Sequence, residues 1–502
     1  MKKSFKLLFL AILPVCAALF VSASCGDGGD GAQNGTINAG GGDSEDASGA
    51  DNGGAPLDGL GEYDFKGREL RILTRGARES ATTMEIAVEE NSEEVIDDSV
   101  YRRNLAAEER FNAKVRAVPF DPGMGIANIL RPSLMAGDDE YDLVSWHMID
   151  MGTATTNNWF LNWHELPKID MDKPWWYKDA TDALTVDGKS FFAMSHLCYT
   201  TIRAAYSVFF NKRLAENYAL DNLYNAVNEG KWTIDYLYNT VKDIYADVNG
   251  DSNRDLGDIY GLVTNTFSST VTYLYAFDNP ITKRDADGLP ELVINNEKTI
   301  SILEKLYSLY YETTGVFAAT HLAETEGLVW PLVTTNVFRR GGAAFITALI
   351  GEAASLRDME DNFGILPYPK WDEKQEKYYS MVDGSGPLLA IPITVTDTEF
   401  VGVMLEALSA ESYRIVTPAY YDVALKVKHA RDEESAAMMD VVIEGIRFDF
   451  GYIYDGWNGM AFSLPELLAN RKKDFTSYYD ANENRALKYY EKVIDAYLNY
   501  EG

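Results

Sequence analysis

The chain has 502 residues, with 45 Lys and Arg against 77 Asp and Glu, a formal charge of −32. Hydrophobic residues make up 46% and aromatics 12%, which excludes disorder throughout and suggests two or three packed domains. The charge argues against nucleic acid as a partner, three cysteines (Cys16, Cys25 and Cys198) exclude a disulfide scaffold, and five scattered histidines have no zinc-ligand spacing.

Lys2, Lys3 and Lys6 precede an apolar or small run over residues 7–21. At about 15 residues this run is short for a membrane span and right for the core of a signal peptide over 1–24. Val21-Ser22-Ala23-Ser24-Cys25-Gly26 resembles the lipobox of bacterial lipoproteins, with Ser22 where Leu is usual and Cys25 as the lipidated residue. Residues 26–62 then hold 13 glycines, eight acids and no Lys or Arg, so 25–62 reads as a lipidated cysteine and flexible tether. The expected location is outside the cytoplasm, with the lipid as the membrane anchor.

Residues 70–73 read as a strand ending at Thr74-Arg75-Gly76. Ile96, Val100, Ala107 and Phe111 then fall on one helical face, and Asn112 stops that helix. Residues 113–120 form the next strand, 123–137 a helix, and 141–145 a third strand running into Trp146-His147. This alternation predicts a parallel sheet with crossover helices. Thr233 caps a helix with an apolar face of Ile234, Leu237, Val241, Ile244 and Tyr245. Residues 363–367 and 388–392 read as later buried strands, and the Tyr-rich final sixty as helices.

In Asp247-Val-Asn249-Gly-Asp251-Ser-Asn253-Arg-Asp255-Leu-Gly-Asp258, oxygen ligands recur at EF-hand spacing, with Asn253 able to offer its carbonyl. Ser252 replaces the usual glycine and Asp258 the usual glutamate. The loop leaves a helix and enters a strand at 260–263, so a single structural Ca2+ site is expected rather than a paired EF-hand.

The segments RRNLAAEERFNAKV, YDLVSW, NWHELPKIDMDKPWW, VFFNKRLAENYAL, NEGKWTIDYLYNTVKDIYADVNGD, NFGILPYPKWD, PAYYDVALKVKHARDEES and MMDVV follow one another over residues 65–495. In that order the chain resembles the family 1 extracellular solute-binding proteins of ABC importers, the carbohydrate cluster that includes maltose- and alginate-binding proteins. The resemblance implies a type II periplasmic-binding-protein-like α/β fold, with two discontinuous domains joined by a hinge around a ligand cleft. It places one lobe at 63–200 plus 390–440 and the other at 201–389 plus 441–502. The chain would cross near 197–207 and return near 381–392, where Gly384 and Gly386 would absorb the hinge motion. It further implies a monomer that hands a bound oligosaccharide to permease subunits, and a calcium loop like that of alginate-binding relatives.

A sugar site needs aromatics to stack on and polar groups for hydroxyls, supplied from the carboxyl ends of strands. Arg75, Trp146 and His147 occupy such ends. Tyr199 and Arg203 lie at the expected first crossing, Asp383 at the return, and Trp457 in a late loop beside Asp455 and Asn458. Trp175 and Trp176 read as packing. Paired carboxylates of a glycoside hydrolase are always available among 77 acids. No Gly-x-Ser-x-Gly elbow, phosphate loop or His-Glu-x-x-His occurs, so binding without catalysis is the expectation. A binder of peptide or another solute on the same fold stays open.

Overall fold

The computed structural model describes residues 56–89, 94–121, 123–319, 332–429, 432–454 and 459–500. The expected signal peptide, Cys25, residues 26–55 of the tether and Trp457 lie outside the described residues. At the far end of that tether, Arg110 forms an ion pair with Asp58 at 2.7 Å and donates to the Leu60 carbonyl at 2.8 Å, so the chain is tied to the body from Asp58.

The strands run in chain order as β1 (Arg68–Arg75), β2 (Ala113–Phe120), β3 (Leu143–His147), β4 (Tyr206–Asn211), β5 (Tyr245–Ala246), β6 (Ile259–Asn265), β7 (Thr282–Arg284), β8 (Pro290–Leu292), β9 (Val316–Ala319), β10 (Ala343–Leu349), β11 (Phe363–Leu366), β12 (Ser380–Met381), β13 (Pro387–Ala390) and β14 (Ile446–Arg447). One sheet has the order β13-β3-β1-β2, and the other β11-β4-β10-β6-β5 with β9 also on β6. As the alternation predicts, β1 is parallel to both β2 and β3. β13 is antiparallel to β3. Each sheet anchors one lobe.

The helix Val95–Phe111 buries Val100, Ala107 and Phe111 and ends at Asn112, whose φ of 47° is the left-handed cap an asparagine tolerates. Every residue of β3 is buried, as expected where a strand is covered on both faces. β3 runs on through Trp146 and His147 because β13 supplies them with partners Leu388 and Pro387.

Thr233 caps the helix Ile234–Val241 by accepting the Tyr236 amide at 3.2 Å. The helix stops before Ile244 and Tyr245, since the backbones of β6 and β9 come close there. A Cβ at Gly315 would lie 1.8 Å from the Val241 oxygen, and the Gly261 amide donates to Ile244 at 2.8 Å. The Asp247–Asp258 loop therefore leaves β5 rather than a helix, and links it to antiparallel β6.

The chain crosses between lobes where Ala205 bridges Val382 and the Asp383 amide donates to the Ala204 carbonyl at 2.8 Å. β4 then enters the second sheet, and β13 rejoins the first. Two π-helical stretches, Ser412–Val416 and Ala419–His429, pack on the helix Val95–Phe111 and bring Ser412 and Tyr420 to the first crossing. The helix Glu433–Glu444 packs on β11, and β14 pairs with β12, so the chain crosses once more.

Candidate functional site

A cavity of about 310 Å3 opens where carboxyl ends of strands from both lobes meet the two crossings. Arg75 and Gly76 reach it from the end of β1, Leu349 from the end of β10, Gly351 and Glu352 from the 3-10 turn Ile350–Ala353 that follows, Arg203 from the first crossing and Ser385 from the return. Larger hollows of about 400 Å3 (by Trp163, Asp170 and Lys178) and about 560 Å3 (by Arg213, Arg340 and Asp361) each lie within one lobe. Of the three, the smallest has the position that open α/β sheets give to ligands, outside the carboxyl ends of strands.

Arg75 is the last residue of β1, and its Nε is buried with no hydrogen-bond partner. Gly76, at φ 116°, turns the chain away; a Cβ there would meet Ser80 Oγ at 2.6 Å. Arg203 ends the short helix Thr200–Arg203, with its stem against Gly351, where a Cβ would lie 2.2 Å from Arg203 Cγ. The structure thus brings Arg75 and Arg203 to one cavity.

The remaining expected residues stand behind it. Trp146 is 0% exposed, within the core. His147 is 6% exposed, and burial, helped by the Arg75 charge, pushes its imidazole down to about 3, so the ring is neutral at pH 7. Tyr199 is buried and stacks on Tyr420 with centroids 4.8 Å apart. Asp383 is buried and accepts from Tyr206 OH at 3.2 Å and the Ser385 amide at 3.0 Å, so it fastens the return crossing.

Gly384 and Gly386 have close approach as their physical requirement rather than an unusual φ. A Cβ on Gly384 would sit 2.5 Å from His147 Cε1, and one on Gly386 2.4 Å from Val382 Cγ1. Trp175 and Trp176 are buried, the latter donating from Nε1 to Glu406 at 3.0 Å.

Glu85 and Glu352 escaped sequence reasoning. Glu352 follows the apolar run AAFITAL of β10, a signal that could have pointed to a strand end. Glu85 carried no local signal. Its carboxylate is fully buried at the first crossing, and burial pushes its carboxyl up to about 7 against the opposing effects of Thr200 and Arg103.

In the Asp247–Asp258 loop the acidic side chains serve backbone amides. Asp247 accepts from Gly250 at 2.7 Å and Ser252 at 3.0 Å, Asp251 from Asn253 at 2.7 Å, and Asp255 from Gly257 at 2.6 Å. Asn249 accepts the Asp251 amide at 3.1 Å. Among the described residues no three His, Cys, Asp or Glu side chains converge to hold a metal ion. Two features nonetheless fit a cation. Ser252, where an EF-hand has glycine, takes the left-handed φ of 62°. Asp258 is fully buried; its Oδ2 accepts from Tyr245 OH at 3.0 Å while Oδ1 has no hydrogen-bond partner.

No protein-family model matches the chain, and no curated protein matches it in sequence. Solved structures do. UspC of M. tuberculosis superposes with a TM-score of 0.55 at 13% identity, covering 83% of this chain and 100% of its own. An ABC substrate-binding protein from Listeria monocytogenes in complex with cycloalternan gives 0.53 at 12%, covering 87% and 100%. The maltose/maltodextrin-binding domain MalE from Bdellovibrio bacteriovorus, bound to maltotriose, gives 0.51 at 14%, covering 86% and 100%. The second and third of these are a substrate-binding protein and a sugar-binding domain. Two mixed sheets, two adjacent crossings and a cavity at the junction accord with that similarity: the chain has the two-lobed α/β fold of periplasmic solute-binding proteins.

Proposed function

We propose that the protein is a lipid-anchored, extracytoplasmic solute-binding protein. It captures a carbohydrate between its lobes and delivers it to ABC permease subunits, without catalysis. The observation that carries this reading is the cavity built from β1, β10 and both crossings, because a ligand there touches both lobes and is held best when they close. The sugars bound by the cycloalternan and maltotriose complexes of the same fold support the ligand class. The anchor is assigned to Cys25 because the segment Val21-Ser22-Ala23-Ser24-Cys25-Gly26 resembles a lipobox behind a signal peptide.

Within this reading the Asp247–Asp258 loop holds a structural Ca2+ through Asp247, Asn249, Asp251, the Asn253 carbonyl, Asp255 and Asp258. Support comes from their spacing and from the buried, unpartnered Asp258 Oδ1. The ion would neutralise carboxylates that otherwise repel one another.

Isothermal calorimetry of the mature chain against a glycan panel tests the function. Saturable binding with no released reducing ends is expected. Product formation, or silence across the panel with binding of peptides instead, would sink it.

A further inference from the structure

Two guanidinium groups on the cavity wall are unmatched. Arg75 Nε is buried without a hydrogen-bond partner, and Arg203 lines the same cavity, its stem braced by Gly351. Among the described residues neither is within ion-pair distance of a carboxylate. Glu352, the acid on the same wall, is occupied by Ser355 Oγ at 2.8 Å and Thr335 Oγ1 at 3.3 Å. Asp383 behind it is occupied by Tyr206 and Ser385.

Other arginines find carboxylates or carbonyls, as Arg71 does with Asp142, Arg213 with Asp361 and Arg254 with the Thr314 carbonyl. A buried guanidinium nitrogen without an acceptor is costly, and the cost is relieved when an anion arrives. The planar fork of arginine matches an oxyanion with two parallel donors, a geometry that lysine lacks.

We infer that the ligand is an acidic saccharide, its carboxylate or sulfate ester read by Arg75 and Arg203, and that these residues select charged over neutral sugars. The inference rests on the carbohydrate reading and adds the charge that the sugar carries.

The test uses calorimetry on the mature full-length chain with matched ligands: trigalacturonate, trimannuronate, their methyl esters, neutral malto-oligosaccharides and a sulfated galacto-oligosaccharide. The expected result is that at least one acidic sugar binds tenfold or more tighter than its neutral counterpart. Each of Arg203→Gln and Arg75→Gln should then lose tenfold or more of that affinity, about 1.4 kcal/mol per decade, with melting temperature preserved. Arg203 is exposed, so its variant keeps the test valid if Arg75→Gln folds poorly. Binding of the sulfated sugar but not the uronates sustains the inference with sulfate as the anion. Equal binding of ester and acid, or of parent and both variants, overturns it while leaving the carbohydrate function intact. Absence of binding to every saccharide overturns both.

Discussion

The Thr200 amide donates to Glu85 Oε2 at 2.8 Å, joining the first inter-lobe crossing to the segment that follows β1. Beside this bond, the buried Arg103 guanidinium donates to the carbonyls of Glu85 at 2.9 Å, Ile86 at 2.6 Å and Leu197 at 3.3 Å, and to Ser412 Oγ at 3.2 Å. One buried cation and one buried carboxyl thus fasten the crossing to the first lobe. The crossing that positions Arg203 is therefore held at its base.

Glu85→Gln should change how stability depends on pH. The folded carboxyl keeps its proton up to about 7, against 4.5 unfolded, so between these values the folded chain binds more protons and stability falls as pH rises. Glutamine does not titrate. The variant should gain on the parent across that window by an amount on the order of 3 kcal/mol, judged by about 1.4 kcal/mol per pH unit. Urea unfolding of both proteins at pH 4.5 and pH 8 measures it; a constant difference between them contradicts the assignment. The comparison is needed because His147 and His196, pushed by burial down to about 3 and about 4, slope the other way below 6.5.

Arg103→Leu should cost about 3–5 kcal/mol, since it strands carbonyls and leaves the Glu85 carboxyl without its cation. Above pH 7, where the Glu85 carboxyl is ionised, the double variant with Glu85→Gln should lose less than the sum of the singles, because the stranded charge has been removed. Additive losses in chemical denaturation would show that the pair is not coupled.

Gly384→Ala should destabilise by about 1–3 kcal/mol, as overpacking does. The new methyl meets His147 at 2.5 Å and 2.9 Å, with Ile149 behind at 3.3 Å. The melting temperature should fall by several degrees; a parent-like transition would mean that the His147 ring can move aside.

Calcium should raise the melting temperature and EDTA lower it. At a calcium concentration 100 times Kd the gain is about 2.7 kcal/mol. Asp258→Asn should abolish the response, because it removes the charge on the buried oxygen. Identical melting with calcium and with EDTA would argue against the site.

Much of the framework was legible because it is local. The period of Val100, Ala107 and Phe111, the stop at Asn112 and the Thr233 cap depend on neighbours within a turn or two, and each stands in the fold. Arg75 was legible as the end of a strand. The burial of Trp146 and Tyr199 was not: an aromatic ring serves equally well as a stacking platform or as core, and what covers it comes from distant segments. Trp146 is paired with Leu388 and Tyr199 is stacked on Tyr420.

By itself the amino-acid sequence determined local elements such as Arg68–Arg75 and Val95–Phe111, the acidic surplus and the spacing of the Asp247–Asp258 oxygens, since periodicity and charge are properties of neighbouring residues. Tertiary structure decided that β13 pairs with β3, that the ends of β1 and β10 share a cavity, and that Arg75 and Arg203 line it while Glu352 and Asp383 are engaged elsewhere. Those choices turn on burying both faces of each sheet and on matching buried donors to acceptors across hundreds of residues, a condition met only when the whole chain is packed.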